Sequence, residues 1–234
     1  MVSVNLGIIC FIFASVANAQ YDEYDSPDMP KPPVCPDFQC GDDLELVPQL
    51  PIKLTSPGCD HNSSLRLTKK DSKEDPEVTL CCDRKHACYQ TCGSDKAVCD
   101  ATFNKCNLDY CSSLSTSKQI KCKASAKNSN IMVQFGHCSS FTNLQKENCE
   151  CVPKEKAQDV RDQAIAAFYD EYAGDQQSQT EKVKKLMAKT TTSKNLANLF
   201  SMLVEKYPSA VKEVEDEQAL MMERMRDGMK GTSK

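Results

Sequence analysis

Tryptophan is absent from this 234-residue chain and aromatic residues make up only 6% of it, so few large rings are available to a core. Positive charge is not in excess either. The formal net charge is −4, which argues against a nucleic-acid partner and predicts weak electrostatic adhesion to anionic lipid. The last 83 residues contain no cysteine. They balance 14 basic against 14 acidic side chains, so the negative charge comes from the chain before them. C-x2-C knuckles are missing, which argues against zinc ribbons. Beyond the N-terminus no segment is apolar enough to span a bilayer, so no transmembrane segment is expected.

Residues 1–19 read as a secretory signal peptide. Leu6 to Val16 is an apolar run too short for a membrane helix, and Ala17-Asn18-Ala19 is a small-residue cleavage site. The product is therefore expected to be secreted and extracellular. Residues 20–34 are acidic and proline-rich and read as a flexible leader. Residues 35–152 form a cysteine-rich domain holding fourteen of the fifteen cysteines. An even number of cysteines in an oxidising compartment predicts a disulfide framework of up to seven bonds. Such a framework compensates for the scarcity of large aliphatic side chains, since losing one native bond costs about 2–5 kcal/mol.

Residues 153–234 read as a helical extension. Val160, Ala164, Ala167, Phe168 and Tyr172 recur at helical spacing, with Gly174 as a stop. Leu196, Leu199, Phe200, Leu203, Val204 and Tyr207 form a second stripe, capped by Ser193 and ended by Pro208. A last helix is expected after Ser209, carrying Val211, Val214, Leu220 and a methionine cluster at 221, 222, 225 and 229.

The richest stretch is C-C-D-R-K-H-A-C-Y-Q-T-C-G, from Cys81 to Gly93. Cys81 to Tyr110 reads as two helices joined at Gly93-Ser94-Asp95, with Ser94 or Asp95 capping the second. Cys81, Lys85, Cys88 and Cys92 share one face of the first, and Cys99, Phe103, Cys106 and Tyr110 one face of the second. Facing cysteines predict an antiparallel, disulfide-tied platform.

This frame resembles the secreted phospholipases A2, and specifically group XII. The resemblance runs from Cys35, Cys40 and Gly58-Cys59 through the doublet Cys81-Cys82 to Cys88 and Cys92. It continues through Cys99, Cys106, Cys111, Cys122 and Cys138 to Cys149 and Cys151. It implies a mostly α, disulfide-rich fold with two long antiparallel helices and a calcium loop, to which the helical C-terminal region is an addition. In an active member of the family the frame reads C-C-x-x-H-D-x-C-Y. The His is a general base for the attacking water, an Asp on the second helix orients it, and the Asp that follows the His on the first helix binds calcium, which polarises the ester.

Here Lys85 stands at the base position and His86 at the calcium-ligand position, while Asp100 matches the orienting Asp. A lysine beside Asp100 is expected to stay protonated, form an ion pair with it, and accept no proton from water. Imidazole suits a hard, oxygen-seeking cation poorly. Gly58 is kept in the calcium loop, but Asp60 follows Cys59 where the family has Gly, and no Gly occurs from Asp60 to Leu65. Calcium is therefore implied by the family with altered ligands, and no other cofactor is expected. Two alternatives use the same side chains. His86 could act as base one position late, and Asp60, His61 and His86 could hold zinc. His137 has no assigned chemistry. Asn62-Ser63-Ser64 is an N-glycosylation sequon within the loop.

The leading expectation is a secreted phospholipase A2-like protein that has lost catalysis and binds a lipid surface or a protein partner. One alternative is a calcium-dependent enzyme hydrolysing the sn-2 ester of phospholipids with an atypical site. The other is a structural, disulfide-rich secreted protein.

Overall fold

Helix α1 (Pro76–Gln90) and helix α2 (Lys96–Ser113) form the centre of the molecule. The structure, a computed structural model, describes residues 31–36, 38–59, 76–136, 138–174 and 180–214. All the elements below belong to the unit Pro33–Lys234. Asp95 caps α2, its carboxylate accepting from the backbone N–H of Ala97 and Val98. Ser94 instead donates to the carbonyls of Cys88 and Thr91 at the end of α1. Gly93 has φ 78°, and a Cβ there would meet the Ser193 backbone at 2.6 Å. That turn therefore needs glycine for its conformation and for the close approach of the C-terminal helix.

All fourteen cysteines from Cys35 onward are paired. Cys81–Cys106 and Cys88–Cys99 tie α1 to α2, as the facing stripes predict. Cys92 departs from that pattern and bonds Cys149. Cys59–Cys82 holds the chain after β2 (Leu54–Ser56) to α1, and Cys111–Cys122 ties α2 to α3 (Thr116–Phe135). Cys35–Cys138 and Cys40–Cys151 fasten the leading segment to α4 (Cys138–Asn148) and β3 (Cys149–Pro153). Strand β1 (Leu44–Pro48) pairs antiparallel with β3, from Leu44↔Pro153 to Pro48↔Cys149.

The C-terminal helices α5 (Lys154–Tyr172), α6 (Glu181–Lys189) and α7 (Ser193–Lys206) build their own apolar cluster. Ile165, Phe168, Val183, Leu196, Phe200 and Leu203 are at its centre. Phe168 and Phe200 meet edge to face at 5.3 Å. The cluster is continuous with the cysteine-rich part, because α7 packs on α1 and α5 on β1. Arg161, 3% exposed, pairs with Glu45 of β1 at 2.7 Å.

Several sequence expectations shift by a residue or more. The buried stripe of α5 runs through Ala157, Arg161, Ala164, Ile165 and Phe168, while Ala167 is exposed. The tie of Arg161 to Glu45 rotates the helix from the purely apolar face. The cap of α7 is Thr192, whose hydroxyl accepts from Asn195 N–H; Ser193 donates to the carbonyl of Leu46 instead. No helix begins at Ser209. Pro208–Ala210 is a single 3-10 turn, and Val211–Glu213 is β4, parallel to β2 from Leu54↔Val211 to Ser56↔Glu213. Val214 N–H extends the ladder to Ser56 O at 2.9 Å. Two valines within four residues favour that extended pairing. The methionine cluster at 221–229, the expected signal peptide and residues 20–30 of the expected acidic leader lie outside the described residues.

Candidate functional site

The residues singled out on the two helices converge in a buried polar cluster where α1 crosses α2. Asp100 projects from the second turn of α2 and is 2% exposed. The Tyr89 hydroxyl donates to its Oδ1, and Lys96 Nζ donates to its Oδ2 at 2.7 Å. Lys96 Nζ also donates to the carbonyl of Val133 at 2.9 Å, which ties α2 to the C-terminal turn of α3. Lys96 is itself only 7% exposed.

Lys85, one turn before Tyr89 on α1, is 1% exposed. Its Nζ lies 5.3 Å from the Phe103 ring centroid and 5.9 Å from that of Tyr89. The negative ring faces attract a cation there. The expected Lys85–Asp100 ion pair is not formed. Lys96 takes that place because a lysine four residues before an aspartate on the same helix reaches it without crossing between helices.

Sequence reasoning missed Lys96, although K-x-x-x-D just inside a capped helix start was the available signal. It also missed Tyr89, which sits one turn after position 85 and points at the same carboxylate. A third unanticipated side chain is Gln145 of α4. Its Nε2 donates to the carbonyls of Tyr89 and Thr91, at 2.7 and 2.9 Å, and so holds the end of α1. Tyr89 packs edge to face on Phe141 at 5.3 Å.

His86 is half-buried on the next position of α1, and its carbonyl accepts from Gln90 Nε2 at 3.1 Å. Gly58 has φ 79°, and its N–H donates to Ser56 Oγ at 3.0 Å. Asp60, His61, Asn62 and His137 lie outside the described residues. Among the described residues no three His, Cys, Asp or Glu side chains are grouped so as to hold a metal ion.

A cleft of about 250 Å³ opens between α1, α2 and α7. Lys85 and Phe103 line it, together with Arg84, Phe200, Val204 and Glu205, but Asp100 does not. The buried carboxylate is therefore not part of the cleft wall. Arg84 and Glu205 face each other across it at 3.8 Å.

Comparison with known proteins agrees with the arrangement of helices and cysteines. A family model described as group XII secretory phospholipase A2 precursor matches residues 29–159, more than half of the chain. The chain is 33% identical over 87 residues to the Mus musculus group XIIB secretory phospholipase A2-like protein, covering 35% of this chain and 45% of that one. It is 26% identical over 125 residues to the Mus musculus group XIIA secretory phospholipase A2, covering 51% and 64%. To the Homo sapiens group XIIA secretory phospholipase A2 it is 27% identical over 86 residues, covering 35% and 46%. The chain thus spans about half the length of the curated relatives it matches. No solved structure matches it. Among the described residues no helix is long and apolar enough to cross a membrane.

Proposed function

Because the chain belongs to the group XII secretory phospholipase A2 family, we propose that it is an extracellular phospholipase A2-like protein that has lost hydrolysis and acts by binding. Its partner is a phospholipid surface or a secreted protein. One observation carries the loss of chemistry. The position of the general base is a buried lysine under two aromatic rings, and the carboxylate that should orient a base is occupied by Lys96 and Tyr89. A base must present a lone pair to water within hydrogen-bond reach. Lys85 is not paired with Asp100, the carboxylate that would orient a base, and Asp100 does not line the cleft.

The side chains present suit calcium poorly. A hard cation asks for several oxygen donors. His86 offers nitrogen where the family supplies a carboxylate, and Lys85, its immediate neighbour on the helix, brings no oxygen donor on its side chain. We therefore assign no calcium-dependent step to this chain.

The test is hydrolysis of phospholipid vesicles by the purified protein, with calcium and with a chelator. No release of fatty acid in either condition is the expected result. Release that rises with calcium and is abolished by the chelator would restore the enzyme reading, and loss of that activity in His86→Ala would identify the base. Intact mass before and after a glycosidase checks the proposed glycan on Asn62.

A further inference from the structure

Helix α3 has a buried apolar inner face and, among the described residues, a second apolar stripe that is partly exposed. Its inward side is Cys122, Ala126, Ser129 and Val133, packed on α2 and the disulfides. At about 100° per residue, Ile120, Ala124, Ile131 and Phe135 point the opposite way. Ile120 is 80% exposed and Phe135 36%, and Met132 beside them is 53% exposed. Lys123 flanks this outer stripe on one side and Lys121 on the other, and both are exposed. No acidic residue lies on α3. From Asp109 to Glu147 the sequence holds five lysines and no carboxylate between them. The packing partner α2 brings two carboxylates, both already engaged, Asp100 by Lys96 and Asp109 by Lys105. On α2 and α3 together six lysines thus stand against two carboxylates, although the whole chain carries a net charge of −4.

We infer that the outer face of α3 is a docking surface for an anionic phospholipid bilayer. An apolar stripe flanked by lysines lets Ile120 and Phe135 enter the headgroup boundary while the ammonium groups reach the lipid phosphates at its sides. A purely phosphate-tracking face, as for nucleic acid, would not place an isoleucine at the centre of the surface with most of its area in water. The expectation of weak adhesion drawn from total charge is revised on this ground. The inference rests on the binding reading proposed above and gives its lipid branch a location and a charge class.

The experiment is co-sedimentation of the full, disulfide-intact chain with vesicles of phosphatidylcholine alone, or mixed with phosphatidylserine. Binding to the mixed vesicles only, weakening as salt rises, is expected. Lys121→Gln with Lys123→Gln weakens it about 25-fold, at about fivefold per lysine. Ile120→Asn weakens it at every salt concentration, because it removes the inserted group rather than charge. Lys184→Gln with Lys185→Gln on α6 changes the affinity less than twofold. These side chains are exposed, so unchanged circular dichroism and unchanged non-reduced mass confirm that each variant is folded. Equal binding by wild type and both α3 variants overturns the placement on α3 and leaves the lipid-binding reading standing. Equal loss from the α6 control overturns it as well, by showing diffuse attraction. No binding to either vesicle overturns the inference together with the lipid branch. A concentration-dependent dimer that Ile120→Asn disrupts overturns it by giving this face to a second copy of the chain.

Discussion

Two ion pairs on α2 have the same i,i+4 spacing and nearly the same length, and differ in burial. Lys96–Asp100 measures 2.7 Å with side chains 7% and 2% exposed, and Lys105–Asp109 measures 2.6 Å with both 66% exposed. Lys96→Met leaves the Asp100 carboxylate buried with one phenol donor and removes the donor to Val133 O. Breaking a buried pair from one side costs about 3–5 kcal/mol. Lys105→Met exposes nothing new, and a solvated pair of this kind is worth about 0–1 kcal/mol. With a urea m-value of about 2 kcal/mol/M, the midpoint falls by about 1.5–2.5 M for Lys96→Met and by under about 0.5 M for Lys105→Met. Urea titrations with the disulfides intact read both. Adding Asp100→Asn to Lys96→Met recovers part of the loss, since it removes the stranded charge and keeps an acceptor for Tyr89. Equal shifts for the two single variants would refute the reasoning, because they would show that water screens the inner pair as it does the outer one.

The half-buried Asp83 faces Ser56 and Glu213, and burial holds its carboxyl above the ordinary value of 3.8, with Glu213 adding to the rise and a hydrogen bond from Ser56 opposing it. Its folded form binds the proton more tightly, so stability falls as pH rises from the unfolded value through the folded one. Asp83→Asn accordingly stabilises at neutral pH, and the gain disappears toward about pH 4, as urea midpoints across pH would show. Phe200→Ala removes a 1% exposed ring that meets Phe168, and costs about 3–5 kcal/mol in thermal or urea unfolding. If α7 contributed little to the core, the loss would stay under about 1 kcal/mol. Lys85→His with His86→Asp yields no calcium-dependent hydrolysis in the vesicle assay, because Lys96 still holds Asp100; turnover by the double variant would show the carboxylate to be available.

The platform was legible because cysteine spacing is a strong geometric constraint. Residues seven or eleven apart on a helix share a face, so the stripes predict that α1 and α2 are tied by disulfides, while the pairing itself, Cys81–Cys106 and Cys88–Cys99, is a finding of the structure. Cys92–Cys149 was not legible, since it depends on where β3 returns, and strand β3 is fixed by its pairing with β1 a hundred residues earlier in the chain. The stripe of α7 was read from its leucines and Phe200, whereas that of α5 was read in part: Ala164 and Phe168 are buried as expected, but Ala167 is exposed and the buried Arg161 went unread. Helix α6 went unread, although Val183, Leu186 and Met187 follow Thr180, its cap, at helical spacing. The extended Val211–Glu213 is stabilised by a parallel partner remote in sequence, a context that no local propensity encodes.

The same distinction applies to the site. Lys85 and His86 could be placed from the motif, but the partner of Asp100 could not. The motif suggests that whatever stands at position 85 must meet Asp100, as a base would. Helix geometry favours a different solution. An ammonium on Lys96 approaches along the axis of α2, while Lys85 reaches the rings of Phe103 and Tyr89. Asp100 then connects α1, through Tyr89, to α3, through Lys96 and Val133 O. A carboxylate with those attachments is retained for packing whether or not a base stands beside it. An aspartate at this position is therefore weak evidence for catalysis, and the side chains that hold it are the better guide. Here both its oxygens are engaged inside the protein, and neither is directed at the cleft.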